Sequence, residues 1–340
     1  FTPGPTGTDE VLFAVDGSLG RVLLNRPRAI NSLTRDMVVA MRAQLEAWAE
    51  DPQVQTVSIE GAGERGLCAG GDVRAVREAH LAGTSGGVDF WADEYVLDAQ
   101  IAEYPKPVVA VMDGIVMGGG LGISMFATAR WATERSRIAM PETIIGFFPD
   151  VAATYLLSRA PGETGTHVAL TGTTITGADA VALGLADAVV DSARLPDLLA
   201  GIAAGGPVEP VPDDATTKGD TLTAARGWID ECYAGDDAAA IVERLRAHDA
   251  PEARAAAEEI SLRSPLSVAV TLEALRRAAT AGSVREVLET DTVVARGLLQ
   301  RADFAEGVRA QLVDKDRSPR WEHESVSDVT RAEVLAVFSG

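Results

Sequence analysis

Cysteine is nearly absent. The 340 residues carry only Cys68 and Cys232, too few for a disulfide framework or a four-ligand zinc site, so a reducing compartment and no metal are expected. Histidine occurs four times, as His80, His167, His248 and His323. None lies in a glycine loop, and no G-x-S-x-G elbow is present, which argues against a serine or cysteine triad. No run of about 18 apolar residues could cross a bilayer as a helix. Positive charge is scarce, with 30 Lys and Arg against 50 Asp and Glu and a formal net charge of −20. A field of that sign repels nucleic acid and anionic membrane at long range, so neither is an expected partner. A small anionic ligand is still permitted, because backbone N–H groups and a few local cations act within a Debye length of roughly 8–10 Å. The first ten residues lack the basic-then-apolar order of a secretory signal, and a cytoplasmic location is the expectation.

What is present alternates. Val11 to Val15 and Arg21 to Asn25 read as strands around the turn Asp16-Gly17-Ser18. Thr34 is placed to cap a helix reaching Glu50, in which Met37, Val38, Met41, Leu45 and Trp48 recur at helical spacing. A strand over Val54 to Ile59, helices over Val73 to His80 and Phe90 to Ala102, and a buried strand over Pro107 to Met112 follow. This order predicts an α/β core of parallel strands joined by crossover helices. Near Gly205 the chain turns proline-rich and acidic, and beyond Thr221 it is Ala-, Leu- and Arg-rich, with Pro251 and Pro265 where helices could start. The expected division is a catalytic core over 1–204, a linker over 205–220 and a helical region over 221–340.

Two glycine-rich loops, Gly66 to Asp72 and Met117 to Gly122, each follow an expected strand and precede an expected helix. A helix start presents unpaired N–H groups, and glycine lets a ligand approach them. A single such loop more often serves only a tight turn. Two in the same context could donate to one oxygen, such as a thioester carbonyl that becomes negative during reaction. Gly61-Ala-Gly63-Glu-Arg-Gly66 also fits the dinucleotide pattern G-x-G-x-x-G, but Leu67 to Gly71 prolong the loop where a nucleotide fold opens its helix.

Asn25 to Asn31, Cys68-Ala-Gly-Gly-Asp72, Asp113 to Gly120 and Met140-Pro-Glu-Thr143 together resemble the enoyl-CoA hydratase/isomerase, or crotonase, superfamily. The block Met140 to Val151 and the tail Asp303 to Trp321 are most similar to its 3-hydroxyisobutyryl-CoA hydrolase branch. The resemblance implies a crotonase-like spiral of ββα units with a C-terminal helical region. It also implies an oxyanion hole from the N–H groups of Gly71 and Gly119. The superfamily's hydratases place their first catalytic glutamate where this chain has Gly122, which cannot transfer a proton; the second is kept as Glu142. Asp150 follows eight residues later, at an expected helix start. Glu142 could attack the thioester or act as base for water, with Asp150 binding the substrate hydroxyl or moving protons. Glu94 matches a third acid lining the substrate pocket.

Taken alone, each of these residues has a plainer reading: Asp150 as a helix cap, Glu142 as a first-turn glutamate, Glu94 as a solvated helix residue and Cys68 as a small buried filler rather than a nucleophile. Arg26, Arg28, Ala69 and Lys315 are candidates for holding coenzyme A, with surface charge as the plain reading of the three cations. Coenzyme A is here part of the substrate, and no separate cofactor is expected. The family's habit of trimerisation makes a homo-oligomer the expectation. The hydrolases usually carry Val-Gly-Gly after the aspartate, whereas this chain has Val151-Ala152-Ala153, two added methyl groups that could narrow the acyl pocket.

Overall fold

The computed structural model describes residues 1–208 and 221–339. Packing divides the chain into two compact units that are not continuous in sequence. Among the described residues the first holds 1–72, 93–138 and 175–208, and the second 73–92, 139–174 and 221–339. The contiguous expectation of 1–204 against 221–340 does not follow this division, because periodicity reports an element's own burial pattern and not which partner covers it. Residues 209–220, most of the expected linker, lie outside the described residues.

Among the described residues ten strands organise the first unit: β1 (Thr2–Pro3), β2 (Val11–Asp16), β3 (Leu19–Leu24), β4 (Thr56–Gly61), β5 (Gly66–Cys68), β6 (Val108–Met112), β7 (Ile115–Met117), β8 (Ala129–Thr133), β9 (Arg137–Ala139) and β10 (Ala188–Val190). A seven-stranded sheet runs β1-β2-β3-β4-β6-β8-β10, and β5-β7-β9 form a smaller one. The chain repeatedly gives one strand to the large sheet and the next to the small sheet: β4 then β5, β6 then β7, β8 then β9. Helical segments follow each pair, so this is the ββα spiral. β2 and β3 form the expected antiparallel hairpin, and from β3 onward the large-sheet neighbours are parallel.

Sequence pattern explains these elements. Every residue of β6 is buried, as in a parallel strand covered on both faces. Helix α1 (Arg35–Glu50) starts where Thr34 accepts the Met37 N–H at 3.3 Å, a cap of the kind that contributes ~1 kcal/mol. Its buried stripe is Met37, Val38, Met41, Leu45 and Trp48, and Trp48 meets Phe13 of β2 edge-on at 5.9 Å. Leu195, Leu199 and Ile202 of the helix Leu195–Ala203 pack with Leu19, Val109, Val111 and Trp131 of the sheet.

The second unit is helical, and its described residues beyond Thr221 contain no strand. Pro251 and Pro265 both open helices, Pro251–Ser261 and Pro265–Ala278. Pro lacks the N–H that a first turn would leave unpaired, and its φ already suits the helix. In Pro265–Ala278 eleven of the residues are buried, which makes it the centre of this unit's core.

Candidate active site

The two glycine loops come together in the first unit. β5 and β7 run parallel, so the loops leaving them emerge on the same side of the small sheet. Gly70 has φ +100°, and a Cβ there would stand 3.3 Å from the Met117 carbonyl and 3.7 Å from Gly119 N. The loops therefore pack backbone against backbone, which only glycine allows.

Gly71 forms a parallel bridge with Leu33 in which Leu33 N–H donates to Gly70 O and Asp72 N–H donates to Leu33 O, both at 2.9 Å. In that pattern the N–H of Gly71 itself lies outside the ladder and points away from Leu33. Gly118, at φ +50°, turns the second loop so that Gly119 is the first residue of a short helix, Gly119–Gly122. Its N–H precedes the first intrahelical acceptor. The helix expected to follow this loop is instead a four-residue turn within it, closed by Ile123 N–H on Gly119 O at 3.1 Å. Gly66 begins strand β5 and not a helix, which removes the dinucleotide reading.

Glu94 reaches the same place. A Cβ at Gly119 would overlap Glu94 Oε1 and approach Gly71 N at 3.4 Å. Gly71, Gly119 and the Glu94 carboxylate thus converge. Glu94 is 2% exposed, which overturns its plain reading as a solvated residue. Asp98, one turn further along the helix Gly86–Ala102, is also fully buried.

Cys68 sits beneath this loop. Its Sγ accepts the Gly70 N–H at 3.4 Å, and burial, with the Glu94 charge adding to it, pushes the thiol up to about 12 against the pull of the Gly70 N–H. A thiol so held is a poor nucleophile at neutral pH, as its filler reading anticipates.

The acids stand in the second unit. Pro141 precedes the turn Glu142–Ile145, and Gly146, at φ +72°, closes it by donating to Glu142 O. Phe147 N–H donates to the same carbonyl at 3.0 Å. A side chain at Gly146 would come within 2.7 Å of Phe304 N, so the Asp303-Phe304 backbone of the tail packs directly on this turn. Trp91 stacks on Phe147 at 4.6 Å, with Phe304 5.6 Å from Phe147. Glu142 and Asp150 are 7% and 5% exposed. Both are buried rather than solvated.

Asp150 does not start a helix. The helix Ala153–Leu157 has Ala152 as its N-cap, and Asp150 is the first residue of a tight turn closed by Ala153 N–H on Asp150 O at 2.8 Å. Its two central residues, Val151 and Ala152, have φ of 52° and 58°. This is the mirror-image turn that glycine and asparagine normally occupy. A non-glycine residue in this region carries a penalty of about 1–3 kcal/mol, and a β-branched one is a genuine outlier. The Ala152 N–H donates to Asp291 Oδ2 at 2.8 Å, from the middle of the helix Val284–Leu299. Asp291 is 1% exposed. Burial raises its carboxyl well above the usual range; the Ala152 N–H opposes this and the Asp150 charge adds to it.

Asp291 was not among the residues singled out from the sequence, although a signal exists. It lies on the same buried stripe as Val287, Leu288, Val294, Ala295 and Leu298. An acid on an apolar stripe needs a partner inside the protein.

The residues matched to coenzyme A are less concentrated. Arg26 binds Glu10 at 3.1 Å, Asp72 at 3.2 Å and the Ser32 carbonyl at 2.6 Å, so its guanidinium braces the Gly70-Gly71 loop. Arg28 and Lys315 are exposed, Lys315 at φ 59°, and Ala69 is half-buried with its N–H on Ile30 O at 2.9 Å.

A ββα spiral whose small sheet carries two converging glycine loops is the architecture of acyl-CoA chemistry on this fold, and the chain belongs to the enoyl-CoA hydratase/isomerase family, whose sequence profile matches residues 19–338. Among named relatives, the 3-hydroxyisobutyryl-CoA hydrolase of Gallus gallus is 38% identical over 94% of this chain and 86% of its own length. The human protein of that name is 35% identical over 96% and 87%. Both names include the word mitochondrial, which differs from the cytoplasmic expectation. Among solved structures, a carnitinyl-CoA dehydratase from Mycobacterium thermoresistibile is 45% identical with a TM-score of 0.91, covering 98% of this chain and 97% of its own. An enoyl-CoA hydratase from Rhodobacter sphaeroides is 39% identical with the same TM-score, covering 97% of each.

Proposed function

We propose that this protein hydrolyses acyl-CoA thioesters, with 3-hydroxyisobutyryl-CoA as the substrate that best fits its relatives and its acids. The observation that carries the reaction type is the side-chain inventory. Position 122 is a buried glycine within the Gly119–Gly122 turn, while Glu142 and Asp150 are both retained and buried. The names of similar proteins divide between hydrolase and hydratase or dehydratase. The absence of an acid at 122 favours the hydrolase side.

In this reading the Gly71 and Gly119 amides accept the charge that develops on the thioester oxygen, a role in which one donor typically contributes about 3–4 kcal/mol. Glu142 attacks the carbonyl carbon. The C–S bond breaks, the thiolate departs, and an acyl-Glu142 anhydride remains. Water then adds to the Glu142 carbonyl of the anhydride and gives its proton to Asp150, which passes it to the thiolate, releasing the free acid and restoring the Glu142 carboxylate. Only water and the thioester are consumed, so no cofactor is called for. Glu94, beside Gly119, lines the pocket, and Arg28 and Lys315 are the exposed cations available to coenzyme A phosphates. Two buried, free cysteines suit any reducing compartment, the cytoplasm or the mitochondrial matrix alike.

Two assays test this. Release of free thiol from 3-hydroxyisobutyryl-CoA supports the reading, and hydration or double-bond migration of an enoyl-CoA without thiol release overturns it in favour of a Glu142-only hydratase or isomerase. Tight CoA-ester binding with no turnover on any thioester would instead identify a silent binding protein. Label in the Glu142 carboxylate after a single turnover in ¹⁸O water identifies the anhydride, and failure of hydroxylamine to intercept an acyl-enzyme would make Glu142 a base instead of a nucleophile.

A further inference from the structure

We infer that Asp291 is a positioning residue for Asp150, holding the left-handed Val151-Ala152 turn that sets where the Asp150 carboxylate stands. The inference rests on the reading of Asp150 as an acting residue. Three observations converge on it. Asp150, Val151, Ala152 and Ala153 are all buried, so the turn has no solvent to satisfy its amides. Its central residues occupy positive φ without glycine, a conformation that persists only when surrounding structure over-determines it. The side chain that meets the turn's inner amide is Asp291, 139 residues away in sequence, at 2.8 Å.

The placement is specific in its chemistry. An apolar residue at 291 would fit the helix stripe and leave the Ala152 N–H buried without that acceptor. A carboxyl at this place supplies one well-aimed oxygen, and the adjoining Asp150 disfavours charge on it. The device takes over, by a tertiary hydrogen bond, what glycine at 152 would do through backbone freedom. Residues 152 and 291 are therefore coupled. With glycine at 152 the turn has less need of Asp291, and with alanine it depends on it.

The test is a double-mutant cycle on the full-length protein, assayed by thiol release, with exchange of the Ala152 amide followed by NMR. Asp291→Ala should lower kcat roughly tenfold to a hundredfold with KM changed less than about threefold, the scale on which small misplacements of a reacting group act. It should also expose the Ala152 amide to exchange. Asp291→Asn, which keeps an oxygen acceptor, should hold kcat within about threefold of the parent. Ala152→Gly combined with Asp291→Ala should recover at least about fivefold of the lost kcat, an interaction of the size neighbouring sites show.

A folded Asp291→Ala protein with unchanged kcat overturns the inference, as does an Asp291→Asn protein as impaired as the alanine variant or a double variant with no recovery. If Asp291→Ala does not fold, an Asp291→Asn protein more than about tenfold below the parent in kcat, or a double variant that also fails to fold, overturns the inference. Asp150→Asn separates the two levels. Full activity there removes the reading of Asp150 itself, while the amide exchange still reports whether Asp291 holds the turn.

Discussion

The glycine loops of the first unit and the acidic turn of the second solve the same problem in opposite ways. Both must hold backbone in the left-handed region. In the loops the positive-φ positions are glycine, Gly70 at 100° and Gly118 at 50°. In the turn after Asp150 the positions are Val151 and Ala152, and a distant carboxyl accepts the inner amide. A conformation that is local in origin tolerates its neighbours changing. One that is imposed from outside fails when the outside contact is lost.

The largest expected effect breaks the acidic side. Glu142→Gln should reduce thiol release by about 10³-fold or more, since nucleophile and base roles both vanish, and Asp150→Asn by about 10²–10⁴-fold, the range of general acid–base catalysis. Isothermal titration with a CoA ester should find binding largely intact in both, and full turnover in either would remove that residue from the chemistry. On the glycine side, Gly119→Ala should reduce kcat about 10²–10³-fold, because its Cβ would overlap Glu94 Oε1 and displace the first-turn amide. Normal kcat in a folded Gly119→Ala protein would deny that amide its role.

Smaller effects sharpen the contrast. Ala152→Gly should raise stability by about 1 kcal/mol in urea unfolding, as the left-handed penalty is relieved, in spite of the greater entropy of an unfolded glycine. The reverse change at Gly70 should destabilise the protein, and a loss of stability in Ala152→Gly would show that the turn is not strained.

The smallest effect concerns Cys68. With its thiol held up near 12, iodoacetamide at pH 7.5 should label the native protein negligibly and leave turnover unchanged. The corresponding stability effect has a definite sign. The unfolded thiol loses its proton before the folded one as pH climbs from about 9 toward 12, so the unfolded state binds fewer protons and stability falls across that window. Cys68→Ala should remove up to about 1.4 kcal/mol per pH unit of that fall, measured by denaturant midpoints.

Much of the molecule was legible in its residues. The β2-β3 hairpin, the Thr34 cap, both proline-initiated helices and the position of the glycine loops follow from requirements that one residue or a short period satisfies alone. A left-handed loop needs glycine wherever it occurs, and a parallel strand buried on both faces reads as an apolar run. The family match added Glu94, Glu142 and Asp150, which read as ordinary charges in isolation and stand buried in the structure.

Other features depended on packing between distant segments. The sequence takes Val151-Ala152-Ala153 as two added methyl groups beside the substrate, whereas their first consequence is a strained backbone. Asp291 lies in an otherwise regular amphipathic helix, and only the fold brings it to Ala152. Local chemistry fixes what each short segment prefers, so glycine, proline and periodic apolar residues are readable in place. A preference overruled by a partner 139 residues away is not written in either segment. It exists only once the chain has folded and buried both.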